Sequence, residues 1–167
     1  MSSSGWKQLE LLVAAVIVVL DQVAKALVRG AFDLHESLEV IPGFFNLTRV
    51  HNYGAAFGLM NTVDFPFKTA VLSTVAAVAL SMLALYATRL PPDQRFARFG
   101  LALIVGGAAG NLIDRISAGY VVDFVDVYWG DWHFWAFNVA DAAITVGVAF
   151  MILDLLNIRM NGVSRAV

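Results

Sequence analysis

The chain has 167 residues, of which 59% are hydrophobic and only 14% are charged. A soluble domain averages about 45–50% apolar and about 25% charged residues, so this composition excludes both a soluble globule and a disordered chain. The formal net charge of −2 gives no indication of a basic face for nucleic acid, and the absence of cysteine excludes disulfides, thiolate metal sites and a cysteine nucleophile. The class that remains is an integral membrane protein.

Four apolar stretches, at approximately residues 9–28, 67–87, 96–113 and 137–156, are close to the roughly 20 residues that a helix needs to cross a bilayer. We predict a helix for each, because lipid offers no partner for unpaired backbone groups. The first stretch is long and lacks a convincing A-x-A exit, so we interpret it as a retained span rather than a cleaved signal peptide. Residues 1–167 are therefore expected to form a single integral membrane domain.

Basic residues near the ends of the spans predict the orientation. The short connection between the second and third spans carries Arg89, Arg95 and Arg98, whereas the two long connections, about residues 29–66 and 114–136, hold most of the acidic residues. We therefore expect both termini and the short connection on the cytoplasmic side. The long connections then face the outer, periplasmic side.

The long connections have the composition of ordered structure. Residues 38–50 are rich in β-branched and aromatic side chains around a Pro-Gly turn, which predicts a small sheet resting on the membrane. Trp129, Trp132 and Trp135 fall within the second connection, a density typical of the headgroup belt. The predicted fold class is an all-α membrane protein, with four transmembrane helices and a small β-sheet and loop subdomain on the outer face.

Polar residues near the spans carry most of the remaining information, because burying an ionisable group in lipid is costly. Asp21 and Lys25 are four positions apart and share one face of the first helix. This spacing favours an internal ion pair in which the lysine snorkels towards the membrane surface. Gly106 and Gly110 have the small-xxx-small spacing that lets helices pack closely.

Two further polar motifs lie where the spans meet the outer connections. Within residues 51–57, Asn52 and Gly54 are typical of a turn and would also let a peptide or ligand approach the backbone closely. Asn111 and Arg115 share a face at the outer end of the third span. Three interpretations of Arg115 stay open: contact with a phosphate headgroup, neutralisation of a nearby carboxylate, or binding of a substrate carbonyl.

The most informative residues are Asp123 and Asp141. Asp123 follows two valines and precedes a phenylalanine, so it is predicted to lie in a strand with apolar surroundings. Asp141 is three residues after Asn138 at the start of the fourth helix, where this pair is equally consistent with a capping box. Both aspartates fall on the predicted outer side, separated by one aromatic excursion of the chain. We therefore expect the two carboxylates to converge.

Two carboxylates that converge in apolar surroundings cannot both ionise easily, so they share a proton. One can then act as general base on a water molecule while the other donates its proton to a scissile carbonyl oxygen. A serine nucleophile is not favoured, since Ser73 and Ser81 lie in the second span without a nearby base. Glycoside hydrolysis also uses two carboxylates, but the chain has no room for a long sugar cleft.

At these motifs the sequence closely resembles the bacterial lipoprotein signal peptidases, the type II signal peptidases, over nearly its whole length. The motifs that match, in order, are Asp21 in LDQVAK, residues 52–57 (NYGAAF), residues 110–115 (GNLIDR), Asp123 in VVDF and residues 138–141 (NVAD). The resemblance implies that Asp123 and Asp141 are catalytic. It implies supporting or substrate-binding roles for six other residues: Asp21, Asn52, Gly54, Asn111, Arg115 and Asn138.

The resemblance also implies the reaction and its setting. The expected activity is removal of the signal peptide from a diacylglyceryl-modified prolipoprotein, with cleavage just before the lipidated cysteine. The expected location is the bacterial cytoplasmic (inner) membrane, with the active site on the outer side. The family needs no metal or organic cofactor and is inhibited by globomycin-type cyclic peptides. The expected partners are the prolipoprotein and membrane lipid, without nucleic acid, and the chain is expected to act as a monomer.

Two alternatives belong to other functional classes. A small transporter or proton relay would use acidic residues near the middle of the spans, but Asp21 is the only acidic residue predicted well inside one. A scaffold that assembles through Gly106 and Gly110 would leave the outer Asn, Arg and Asp residues unexplained. Both alternatives predict that Asp123→Asn leaves lipoprotein processing unchanged.

Overall fold

The computed structural model describes residues 3–54, 60, 63 and 65–164. The helices are α1 (Ser3–Ala31), α2 (Lys68–Arg89), α3 (Arg95–Ala118) and α4 (Val139–Ser164), and the strands are β1 (Ser37–Ile41), β2 (Phe45–Asn52), β3 (Val121–Trp129) and β4 (Trp132–His133). Among the described residues, four helices are long and apolar enough to cross a membrane. The prediction of four helices able to cross a membrane, together with a small sheet, is confirmed.

The third helix is longer than predicted. It continues through Ala118, past the predicted end at Ile113, so the connection placed at residues 114–136 was started too early. The helix ends at Gly119, whose φ of +84° is left-handed and whose N–H donates to the Arg115 carbonyl at 3.1 Å. Asp114 and Arg115 therefore project from the last turns of the helix, and Arg115 shares a face with Asn111 as their spacing predicts.

Glycines let α3 pack closely against its neighbours. A Cβ atom at Gly106 would lie 2.8 Å from the Ala14 carbonyl oxygen of α1, and one at Gly107 would lie 2.4 Å from the Ala140 carbonyl oxygen of α4. Gly110 faces α1 as well, where a Cβ would lie 2.6 Å from a carboxylate oxygen of Asp21. The predicted packing role of Gly106 and Gly110 is thus confirmed for α1, and Gly107 extends it to α4.

We expect Gly107→Ala to destabilise the protein by about 1–3 kcal/mol, the usual cost of overpacking, because its methyl group must push α4 away from α3. Gly30→Ala, in the last turn of α1, is the matched control, since nothing lies within 4 Å of its Cβ. Thermal unfolding in detergent measures both. Equal melting temperatures for the two variants would contradict close packing at Gly107.

The described strands form an antiparallel sheet in the order β1-β2-β3-β4. Between β2 and β3 the register shifts after Leu47, and it then pairs Val50 with Asp123. After β4 the chain returns along β3, where the N–H groups of Phe124 and Val125 both donate to the Phe137 carbonyl. This return brings the start of α4 beside the middle of β3.

Two sets of contacts fix the sheet to the end of α1. Val28 of α1 packs with Val122 and Phe124 of β3 in a buried apolar cluster. The Arg49 guanidinium of β2 donates to the carbonyl oxygens of Arg29 and Phe32 at 3.2 and 2.9 Å. A basic side chain is favourable there because the last carbonyls of a helix lack internal partners. The sheet therefore meets the helices at the end where α1 and α3 finish.

Candidate active site

Asp123 lies in β3 with only 3% of its surface exposed, and both of its carboxylate oxygens accept hydrogen bonds. Oδ1 accepts from the Asn138 amide at 2.6 Å, and Oδ2 accepts from the Asn52 amide at 3.0 Å. Asn52 is the last residue of β2, the neighbouring strand, and Asn138 immediately precedes α4. Two neutral amides from different elements thus hold the carboxylate in one orientation.

Asp141 lies in the first turn of α4. Its Oδ1 accepts from the Asn111 amide at 2.8 Å, and its Oδ2 accepts from the backbone N–H of Asn138 at 3.3 Å. In return, the Asp141 N–H donates to Asn138 Oδ1 at 2.9 Å. The reciprocal bonds are those of a capping box, with an aspartate in the position of the usual Glu or Gln. The cap leaves Asp141 beside Asn111. A capping role for Asn138 and Asp141 is therefore compatible with a catalytic role for Asp141.

Asn138 connects the two aspartates. It is fully buried, and besides Asp123 its Nδ2 faces Asn111 Oδ1 at 3.2 Å and the Val122 carbonyl at 3.3 Å. Its Oδ1 accepts the Asp141 N–H. One carboxamide therefore links the strand that carries the first carboxylate to the helix that carries the second.

Burial and a neighbouring negative charge together raise the pKa of Asp123. Loss of hydration raises its pKa, the negative charge of Asp141 raises it further, and the net effect brings the pKa of Asp123 to about 7. The amides of Asn52 and Asn138 act in the opposite direction because they stabilise the ionised form. A carboxyl group with this pKa is present in both protonation states near neutral pH, as proton transfer requires.

Arg115 fixes the turn that follows β2. Its guanidinium donates to the Gly54 carbonyl at 3.0 Å, and the Gly54 N–H donates to Asn52 Oδ1 at 2.9 Å. Because its oxygen accepts from Gly54, the Asn52 side chain directs its NH2 group at Asp123. Arg115 also interacts electrostatically with both Asp123 and Asp141. The remaining residues of the matching motif, 55–57, lie outside the described residues.

Asp21 and Lys25 form the internal ion pair that their spacing predicts, with Nζ 2.8 Å from Oδ2. The predicted snorkelling of Lys25 is wrong, because the residue is fully buried. Its ammonium group turns inward, towards Asp114 at 3.1 Å and Asn111 Oδ1 at 2.9 Å. A lysine can remain buried when several acceptors replace its water shell. The sequence did not single out Asp114 as a site residue, although it lies one turn after Asn111.

An aromatic cavity opens beside Asp141. It has a volume of about 310 Å³, and its lining includes Phe134, Trp135, Phe137 and Ile144. The lining is mainly apolar, with the Asp141 carboxylate at one side. Such a cavity can accept an apolar group of a ligand close to the carboxylate.

Comparison with known proteins agrees with this architecture. Residues 13–157 match the family model described as signal peptidase (SPase) II. A lipoprotein signal peptidase of Geobacter metallireducens is 46% identical over 147 residues, which are 87% of this chain and 88% of that protein. One from Symbiobacterium thermophilum is 44% identical and covers 92% and 98%. A solved bacterial membrane enzyme superposes with a TM-score of 0.81 and 33% identity, covering 92% of this chain and 91% of that one.

Four apolar helices with buried carboxylates and amides at one end define an integral membrane enzyme, and solved bacterial membrane enzymes share the fold. The chain belongs to the signal peptidase II family, and its class is that of a multi-pass membrane protease. Asp21, Asn52, Gly54, Asn111, Arg115 and Asn138 all lie in the hydrogen-bonded network around Asp123 and Asp141.

Proposed function

We propose that this protein is an aspartic endopeptidase that removes the signal peptide from diacylglyceryl-modified prolipoproteins and cuts just before the lipidated cysteine. The observation that carries the proposal is the buried Asn138 carboxamide, which bonds the Asp123 carboxylate and caps the turn that holds Asp141. Relatives with 41–47% identity are named lipoprotein signal peptidases, which supports the substrate class.

In the proposed reaction the two aspartates hold one proton between them. The ionised carboxylate takes a proton from water, whose oxygen forms a bond to the scissile carbonyl carbon. The protonated carboxyl donates to the carbonyl oxygen, which gives a neutral gem-diol. The C–N bond then breaks as the nitrogen accepts a proton from the first carboxyl and the diol returns one to the second. Asn52, Asn111 and Asn138 keep the two carboxylates in place throughout.

The neighbouring elements supply candidate contacts for the substrate. Gly54 is buried, and its N–H and carbonyl are bonded to Asn52 and Arg115, so it shapes the turn after β2. The exposed Tyr53 beside it is a candidate contact for an extended peptide. The aromatic cavity beside Asp141 offers an apolar wall for a lipid chain. We further propose that Arg115 supports substrate binding by holding the Gly54 carbonyl.

The proposal includes the orientation in the bacterial inner membrane. Both termini lie in the cytoplasm, and the sheet with Asp123 lies at the periplasmic surface. This orientation is supported by Arg89 and Arg95, the residues at the facing ends of α2 and α3. A diacylglyceryl anchor would keep the scissile bond at the depth where α3 ends and α4 begins. The chain acts as a monomer without metal or organic cofactor and is inhibited by globomycin-type peptides.

The direct test is cleavage of a diacylglyceryl prolipoprotein by the purified protein in detergent. Mass spectrometry of the products should give a released signal peptide and a mature chain that begins at the lipidated cysteine. Globomycin should block the reaction. Cleavage at another bond, or no cleavage under conditions where a lipoprotein signal peptidase of the family works, would contradict the proposal.

The rate of cleavage should depend on pH through the aspartate pair. Above about pH 7 the pair loses its shared proton and with it the general acid, since the pKa of Asp123 is raised to about 7. At low pH both carboxyls are protonated and no base remains, so kcat/KM follows a bell-shaped curve. The two limbs belong to the pair rather than to either residue.

The Asn52→Ala variant tests whether this pH dependence comes from the pKa of Asp123. The Asn52 amide lowers the pKa of Asp123, so its removal should move the basic limb to higher pH. A kcat/KM that stays constant across the neutral range in the wild type would exclude a shared proton in this pair.

A further inference from the structure

Three charged residues form a buried cluster next to the groups that hold the two aspartates. Lys25 and Asp21 of α1 are fully buried, and so is Asp114 of α3. The Lys25 ammonium lies 2.8 Å from Asp21 and 3.1 Å from Asp114. Arg29, at the edge of the cluster, contacts Asp114 at 2.8 Å and balances the second negative charge. The four charges therefore cancel, with Lys25, Asp21 and Asp114 removed from water and Arg29 partly exposed.

The two carboxylates of the cluster each bind the backbone next to a proposed catalytic residue. Asp21 Oδ1 accepts from the N–H of Ala140, the residue before Asp141, at 3.0 Å. Asp114 Oδ2 accepts from the N–H of Val122, the residue before Asp123, at 3.1 Å. Both backbone segments are thus attached to the same ion cluster.

Lys25 also determines the orientation of the Asn111 side chain. Its ammonium donates to Asn111 Oδ1 at 2.9 Å, and an ammonium group can only donate hydrogen bonds. The amide oxygen must therefore face Lys25, which leaves Nδ2 to donate to Asp141 at 2.8 Å. A reversed carboxamide would bring its NH2 group against the ammonium and its oxygen against the carboxylate.

A second ion pair shows that joining α1 to α3 does not by itself require Lys25. Arg98 of α3 and Glu10 of α1 pair at the other end of the same two helices, where Arg98 is also buried. Glu10 precedes Lys25 by 15 residues, which is about 22 Å along a helix. Glu10 and Arg98 therefore provide a matched comparison, a charged contact between α1 and α3 that is remote from the aspartates.

We propose that Lys25 is a positioning residue for the peptidase reaction: through Asp21, Asp114 and Asn111 it sets the placement of both aspartates. The inference rests on the proposed function and goes beyond it, because Lys25 contacts neither aspartate that carries the chemistry. A buried ion cluster costs desolvation and is weak evidence of a gain in stability. Three contacts of the cluster instead converge on the backbone and the amide that hold Asp123 and Asp141.

Lys25→Met should lower kcat by about 10²-fold with little change in KM, the size expected when a remote change misplaces reacting groups by about 1 Å. It should also shift the pH dependence. The positive charge of Lys25 lowers the pKa of Asp123, so its loss should move both limbs of the kcat/KM curve to higher pH. A residue that served only to stabilise the fold would leave kcat of the folded enzyme unchanged.

The double variant Asp21→Asn, Lys25→Met keeps the charge balanced, since Asp114 still pairs with Arg29. It also keeps an acceptor at position 21 for the Ala140 N–H. We expect it to retain the loss of kcat, because Asn111 Oδ1 has lost its charged donor and keeps only the longer contact from Asn138. Its pH shift should be smaller than that of Lys25→Met, because the removal of a negative charge opposes the removal of the positive one.

The control is Glu10→Gln, Arg98→Met, which removes the other α1–α3 ion pair. It should lower the melting temperature and leave kcat and the pH profile of the folded protein unchanged. A folded double variant at positions 21 and 25 with wild-type kcat would overturn the role of Lys25, as would the same loss of kcat in the control. No cleavage by the wild type would overturn the proposed function itself, so the two failures are distinguishable.

Discussion

Asp123→Asn and Asp141→Asn should each reduce cleavage of a diacylglyceryl prolipoprotein by about 10²–10⁴-fold, the usual contribution of one positioned acid or base. Asparagine has nearly the shape of aspartate but can neither accept the proton of water nor pass one to a leaving amine. At position 123 it also turns the amides of Asn52 and Asn138 against a second NH2 group or leaves one of them unpaired. We expect this loss to appear in kcat, which gel shift or mass spectrometry of the cleavage products can measure.

Asp126→Asn is the matched control for these variants. Asp126 lies on the same strand as Asp123, where it contacts Asn46 and His133 rather than the polar network at the start of α4. The Asp126→Asn protein should cleave the substrate at a rate close to that of the wild type. Folded Asp123→Asn or Asp141→Asn protein with wild-type activity would contradict the aspartate pair and would require another catalytic group to activate the water molecule.

The spans and the convergence of polar motifs were predictable because both follow from simple patterns. Long apolar stretches define the helices, and a segment rich in β-branched and aromatic residues around a Pro-Gly turn indicates the sheet. An ionisable residue near the membrane is costly unless it has a partner, which directs attention to Asp123 and Asp141. The supporting roles of the other six residues were predicted from the family resemblance, because their chemistry alone was also consistent with turns, helix caps and ion pairs.

Lys25 and Asp114 were harder to assign, because their roles depend on how two helices pack. The i,i+4 spacing predicts the pair of Asp21 with Lys25, but it cannot show which way the lysine points. The direction is set by α3, whose close approach through Gly106 and Gly110 brings Asp114 and Asn111 against α1. Because these acceptors bind the ammonium group of the inward-pointing Lys25, the side chain does not need to extend to water at the membrane surface.

The end of α3 was misjudged for a related reason. Apolar character decreases after Ile113, where the chain reads Asp114 and Arg115, so hydropathy places the end of the helix there. The backbone continues in helical form because both charged residues have partners within the protein, Lys25 and Arg29 for the first and Gly54 for the second. The helix ends at Gly119, where the left-handed backbone is available without strain. The charged residues therefore mark the place where the apolar stretch ends and the polar network begins, and the helix itself continues for another turn.

Substrate lipidation should have the second large effect. A prolipoprotein without its diacylglyceryl group should be cleaved with a kcat/KM at least about 10²-fold lower than the lipidated form. Each buried CH2 contributes about 0.8 kcal/mol, so contact of about four methylenes with the enzyme accounts for a factor of this size. The apolar cavity of about 310 Å³ beside Asp141 can provide such contact through Phe134, Trp135 and Ile144.

A series of substrates with thioether-linked chains of increasing length separates enzyme contact from membrane anchoring. The signal peptide already anchors the substrate, so a purely anchoring role predicts little dependence of kcat/KM on chain length in detergent. Contact with the cavity predicts a stepwise increase that ends once the cavity is full. Ile144→Trp, which adds bulk to the cavity lining, should flatten this increase, whereas Trp129→Ala on the exposed end of β3 should preserve it. Equal cleavage of the unlipidated and lipidated forms by the wild type would exclude the diacylglyceryl group as a determinant of specificity.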